Sequence, residues 1–138
     1  MAPRKQFLLR IDPELWGDVE KWAADELRSR GPELVLVTSA VAQADSLTML
    51  AVSSAGAWQV TTPLLDRTFT GSGDLTAAMF LAHYLETRDP GIAVGRTADV
   101  VYSVLKATRD AGSSELLLVG AQDEIVNPSH HFEVLQIR

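Results

Sequence analysis

The chain has 138 residues, a hydrophobic share of 46% and a net charge of −6, which leaves room for one ordinary domain with its own core. An acidic chain gains no generic affinity for nucleic acid from its charge, and the absence of cysteine excludes a disulfide framework and thiolate metal sites. No apolar run reaches membrane-spanning length, and the basic start Met1-Ala2-Pro3-Arg4-Lys5 leads into no secretory apolar region or small-residue cleavage site, so a cytoplasmic protein is expected.

Residues 5–11 read as a short strand. Asp12-Pro13 then opens a helix, with Asp as cap and Pro at the first helical position. Leu15, Val19, Trp22, Ala23 and Leu27 share one helical face, and Gly31-Pro32 stops the helix. Leu34–Val37 is a continuous apolar run, the pattern of a strand buried on both faces, ending at Thr38 and Ser39. Leu47–Val52 and Ala57–Thr62 form a predicted hairpin across Ser53-Ser54-Ala55-Gly56.

A second helix is expected from near Gly73, with Leu75, Ala78, Met79, Ala82 and Leu85 as its buried stripe and Asp89-Pro90-Gly91 as its end. A third covers about 93–110, with Ala98, Val101, Tyr102 and Leu105 inward, and Gly112-Ser113-Ser114 breaks it. Leu116–Val119 reads as a strand, and the tail 132–137 as another. Strands and helices mixed in one sheet-centred structure define the α/β class. There is no internal repeat.

The stretch Gly71-Ser72-Gly73-Asp74-Leu75-Thr76-Ala77-Ala78 carries the chemistry. It places two glycines and an acid where a strand region gives way to a helix. Glycines let backbone N–H groups approach an anion closely, and a helix N-terminus adds partial positive charge and unpaired donors. Gly71, Ser72 and Gly73 are therefore candidates for an anion hole, with Gly73 expected at a positive φ. Asp74 is the carboxylate beside it, a combination suited to phosphoryl transfer. The same residues also fit a plain turn and cap, with Asp74 accepting from first-turn amides.

Thr68-Phe69-Thr70-Gly71-Ser72-Gly73-Asp74-Leu75-Thr76-Ala77-Ala78-Met79-Phe80-Leu81-Ala82-His83 resembles the signature near the C-terminus of ribokinase-superfamily sugar and vitamin kinases, pyridoxal kinase above all. Three further segments support that match: Gly31–Ser39, Ala57–Leu64 and Ala121–Pro128. The resemblance runs from about residue 24 to the C-terminus and covers the C-terminal part of such a kinase. It implies a ribokinase-like sheet-and-helix fold, ATP and Mg²⁺ as cofactors, and phosphorylation of the pyridoxal 5′-hydroxyl. It also implies Asp74 as the base, Gly71–Gly73 as the anion hole, and nucleotide contacts from Thr38 and Ser39. The substrate pocket of that superfamily comes mainly from its N-terminal part. The chain alone is therefore expected to be inactive, and to act as a homo-oligomer or with a complementing N-terminal half.

Residues 4–29 resemble something else, the start of an Arc-type ribbon-helix-helix DNA-binding protein. That resemblance divides the chain into a strand–helix segment, 1–30, and a kinase-like segment, 31–138, with a junction at the shared helix. It implies that Gln6, Leu8 and Arg10 face DNA bases. Leu8, which can neither donate nor accept, departs from the family's pattern, and so does the lack of its second helix. A DNA-binding regulator and an inactive chimeric remnant are the alternatives to the kinase.

His130-His131 reads as a surface pair and not as metal ligands. Asp123 and Glu124 lack a clustered partner for a metal, so Mg²⁺ is expected to arrive with ATP. Trp16, Trp22 and Trp58 read as packing residues. Asp18, Lys21 and Asp25 read as a solvated helical face.

Overall fold

A computed structural model describes residues 34–138, together with Lys21 and Asp25, both helical and exposed. The predicted strand 5–11, with Gln6, Leu8 and Arg10, lies outside the described residues, as do Trp16, Trp22 and Asp18. Four strands are described: β1 (Leu34–Ala42), β2 (Ser46–Ser53), β3 (Gly56–Pro63) and β4 (Val134–Gln136). They form one sheet in the order β1-β2-β3-β4, and every neighbouring pair is antiparallel. The predicted hairpin is present, with Ser53 opposite Gly56 across the turn. The predicted C-terminal strand is β4, beside β3.

Alternation along β2 sends its side chains to two cores. Leu50 and Val52 join Ala40 and Ala57 on one face. Met49 and Ala51 join Val60, Phe80, Ala93, Val94 and Ala98 on the other. The doubly buried strand is therefore β2. Leu34–Val37 of β1, expected to be buried on both faces, is half-buried. Among the described residues β1 pairs with β2 alone, and an edge strand has a neighbour on one side only. Nor does β1 stop at Thr38 and Ser39: it runs on to Ala42, with an irregularity in its register between Val37 and Val41.

Within residues 34–138 three helices accompany the sheet: α1 (Ser72–Thr87), α2 (Pro90–Asp110) and the short α3 (Gln122–Val126). The Asp89 side chain accepts a 2.9 Å hydrogen bond from Ile92 N–H, with Pro90 at the first helical position. That cap starts α2 three residues ahead of the predicted 93. Ala98 and Val101 are buried as expected, while Tyr102 and Leu105 are half-buried. α2 lies close on β3 at Gly91, where a Cβ would sit 2.8 Å from Cδ1 of Trp58. Trp58 is the packing residue expected of it.

The buried stripe of α1 differs from the predicted one. Thr76 and Phe80 are buried, Leu75 and Met79 are half-buried, and Ala78, Ala82 and Leu85 are exposed. Apolar residues lie nearly all round this helix, so periodicity does not select a face. The Phe80 ring, stacked on Tyr84 at 6.4 Å, anchors the face that meets the sheet. Leu116–Val119 is also no strand. Leu118 N–H bonds to Leu116 O at 2.9 Å, Ala121 N–H to Leu117 O at 2.7 Å and Leu117 N–H to the Thr108 hydroxyl at 3.1 Å. These turn bonds satisfy the backbone groups a strand would offer to a neighbour.

His83, on α1, gives the fold a pH signature. Its Nε2 is shielded from solvent without a hydrogen-bond partner among the described residues. Burial, and then the charge of Arg96, hold its pKa below the ordinary value of about 6.5. The folded state thus favours neutral His83. The stability this group contributes is present above pH 6.5 and is lost as the pH falls through the lower folded value. Urea unfolding at stepped pH should show that acid loss in the wild type and a shallower loss in His83→Gln. Parallel curves for the two proteins would contradict it.

Candidate functional site

The chain leaves the sheet at Pro63 and returns to regular structure at Ser72. Just before the helix, Gly71 adopts φ 88° and ψ 0°, the left-handed conformation, as the N-cap of α1. Its carbonyl accepts from Leu75 N–H at 3.0 Å, and Ser72 N–H reaches Phe69 O at 3.4 Å. No side chain caps this end. The N–H groups of Gly73 and Asp74 have no acceptor among the described residues, so two donors at the positive end of a 16-residue helix stay open to an anion. Asp74 lies in the same first turn, exposed, and does not cap it. The left-handed glycine is Gly71, not Gly73, which lies within the helix.

A non-glycine residue at Gly71 faces a backbone penalty and not a crowding one. A Cβ there would meet only Leu116 Cδ1 at 3.5 Å, an ordinary contact, while the left-handed conformation costs an L-residue about 1–2 kcal/mol. Gly71→Ala should therefore lower stability by about 1 kcal/mol, measured as the urea midpoint at constant slope. An unchanged midpoint would show that the turn holds no strain against a side chain.

The loop that carries this turn is tied to α2 and the loop after it. The Arg67 guanidinium donates through Nη2 to Ser113 O and lies 4.8 Å over the Phe69 ring, which is itself buried. Asp66 pairs with Arg109 at 3.7 Å. Sequence reasoning passed over Arg67, since a lone arginine in a polar loop gives no periodic or motif signal. Thr38 and Ser39 lie in the middle of β1, with no hydrogen bond to this turn. Ser39 is buried and Thr38 half-buried.

The expected surface pair of histidines divides. His131 is exposed and its Nδ1 lies 2.9 Å from Asp99 Oδ2. His130, by contrast, is half-buried: its ring meets Tyr102 edge-on at 5.0 Å and lies 3.3 Å from the Ser103 hydroxyl. The tail before β4 runs across α2, which the polar sequence Asn127–His131 does not reveal. Glu124 accepts from the backbone N–H and hydroxyl of Ser129, at 2.7 and 2.9 Å, and the N–H holds its pKa below the usual carboxylate range. Among the described residues no three His, Asp or Glu side chains gather to hold a metal ion, and no helix is long and apolar enough to cross a membrane.

No family model matches the chain. It is 44% identical over 118 residues to pyridoxal kinase PdxY from Corynebacterium diphtheriae, an alignment covering 83% of this chain and 41% of the relative. Among solved structures, pyridoxal kinase from Trypanosoma brucei superposes with a TM-score of 0.74 at 25% identity, over 87% of this chain and 44% of the other. Pyridoxal kinase from Leishmania donovani, in complex with ADP and ginkgotoxin, gives a TM-score of 0.73 at 24% identity, over 88% and 45%. The fold is thus ribokinase-like, in the α/β class expected. Within that class the chain corresponds to the C-terminal part of pyridoxal kinase. It spans about two-fifths of the length of the curated relatives it matches. The resemblance of residues 4–29 to a ribbon-helix-helix protein gains no support from these relatives.

Proposed function

We propose that the chain carries the nucleotide-phosphate and proton-accepting part of a cytoplasmic pyridoxal kinase, with residues 31–138 as the kinase-like unit. The observation that carries this reading is the left-handed Gly71 opening α1, with the free N–H groups of Gly73 and Asp74 beside an exposed carboxylate, in a chain 44% identical to a pyridoxal kinase. Open backbone donors at a helix N-terminus fit a phosphate. Magnesium would come with ATP, held by phosphate and water, since no acidic cluster of the described residues would hold it.

Asp74 accepts the proton of the pyridoxal 5′-hydroxyl as its oxygen bonds to the γ-phosphorus. The bond from that phosphorus to the β,γ-bridging oxygen breaks, and ADP leaves. In the anion hole of the Gly71–Gly73 turn, the open N–H groups of Gly73 and Asp74 take up charge that builds on the transferred phosphoryl group. Thr38 and Ser39 contribute nucleotide contacts from β1. The residues that enclose pyridoxal come from a complementing part of the kinase fold or a second copy of the chain. Calorimetric titration of the chain with MgADP tests the reading. Saturable binding weakened by Gly71→Val supports it; equal affinity in the two proteins, or none in the wild type, overturns it.

A further inference from the structure

We propose that Arg67 is a positioning residue for the Gly71–Asp74 turn, holding it to α2 through the Phe69 ring on one side and the Ser113 carbonyl on the other. The inference rests on reading that turn as a nucleotide-phosphate site. Between Pro63 and Ser72 the chain has little regular structure to fix it. Leu64 N–H bonds to Asp45 O at 2.8 Å where the loop starts, and Ser72 N–H to Phe69 O at 3.4 Å where it ends. An anion hole made of backbone donors needs placement to about 0.5 Å. The side chains of the loop supply that placement.

Arg67 is linked to the turn through Phe69. The buried Phe69 ring lies under the guanidinium, and the carbonyl of the same residue receives Ser72 N–H. On its other side the guanidinium donates to Ser113 O. Ser113 is itself fixed, its N–H bonding to Thr108 O at 3.2 Å and its hydroxyl to Glu115 O at 2.7 Å. Thr108 is fully buried on α2. The path from helix to turn is therefore continuous: Thr108, Ser113, Arg67, Phe69, Ser72. Asp66 and Arg109 brace the same loop from the solvent side at 3.7 Å. The geometry calls for arginine in particular, because a planar guanidinium stacks on a ring while its N–H groups donate in plane; an ammonium cannot do both.

A rival role, Arg67 as a bare charge attracting phosphate, makes a different prediction for lysine. The test compares the wild type with Arg67→Met and Arg67→Lys by MgADP calorimetry and by amide hydrogen exchange. The clamp predicts affinity reduced about tenfold in both variants. It also predicts faster exchange at Leu75, whose N–H bonds to Gly71 O, with Val60 in β3 unchanged as a control for folding. Wild-type affinity in Arg67→Lys, or unaltered exchange at Leu75 in both variants, would overturn it. If the wild type fails to bind MgADP, the nucleotide reading falls, and the exchange at Leu75 alone decides the clamp.

Discussion

Asp74→Asn lowers kcat by about 10²–10⁴-fold, with a much smaller change in nucleotide affinity. The protein to assay is the chain completed by the N-terminal portion of a relative such as the Corynebacterium diphtheriae kinase, with ATP, Mg²⁺ and pyridoxal. The asymmetry follows from the role. A proton acceptor acts as the hydroxyl attacks, so its removal acts mainly on the transition state and little on ground-state binding. Asparagine keeps the shape and loses the charge and basicity. The exposed position of Asp74 in the first turn of α1 makes a folding defect a poor explanation for lost turnover, and matched circular dichroism spectra would exclude one. Unchanged turnover would remove Asp74 from the chemistry. If Asp74 and the Gly71–Gly73 turn act as proposed, with the pyridoxal pocket supplied by another part of the kinase fold, the 138-residue chain by itself should bind nucleotide without forming pyridoxal phosphate, because the positioning that makes the reaction effectively unimolecular would be lacking.

Leu50→Ala lowers stability by about 3 kcal/mol, within the usual range for removing a buried leucine. Leu50 is 0% exposed, in β2, where Thr48–Ser53 are all buried, opposite Val37 of β1 and Gln59 of β3. Its neighbours Ala40, Val52 and Ala57 are small or β-branched and cannot swing in to fill the gap. The urea midpoint should fall with little change in slope. A loss below about 1 kcal/mol would mean that this face of the sheet is more loosely packed than its burial indicates.

Much of this was legible in the sequence, for identifiable reasons. The hairpin was, because two apolar runs flank a Ser-Ser-Ala-Gly turn and the register follows from its length. The start of α2 was signalled by Asp89-Pro90, although it read as the end of α1. In fact Arg88 closes α1 in the left-handed region, at φ 54°, before Asp89 caps the next helix. The burial of β1 and the face of α1 were not legible, because both depend on neighbours. An apolar run gives no indication of whether a strand is central or at an edge, and a helix apolar nearly all round has no preferred stripe. Leu116–Val119 misled for a similar reason: four apolar residues suit a strand, but the turn bonds to Thr108 and within the loop come from tertiary placement.

At the candidate site the glycine turn and Asp74 stand where the motif put them, at the start of a helix. Which glycine is left-handed was decided by the helix boundary, one residue from where pattern reading set it. The contribution of Arg67 depends on a carbonyl 46 residues away in the chain and has no local signal. Thr38 and Ser39 were read as a strand end because the apolar run stops there, whereas the backbone ladder continues to Ala42 through an irregularity.

The most direct test of the central claim is a titration of isotopically labelled chain with MgADP, followed through the backbone amide resonances. If the turn before α1 holds the nucleotide phosphates, the largest shifts fall on Gly71, Ser72, Gly73 and Asp74, with smaller ones at Thr38 and Ser39, and the β4 amides stay still. Saturable shifts confined to other parts of the chain, or no shifts at millimolar nucleotide, would contradict the account.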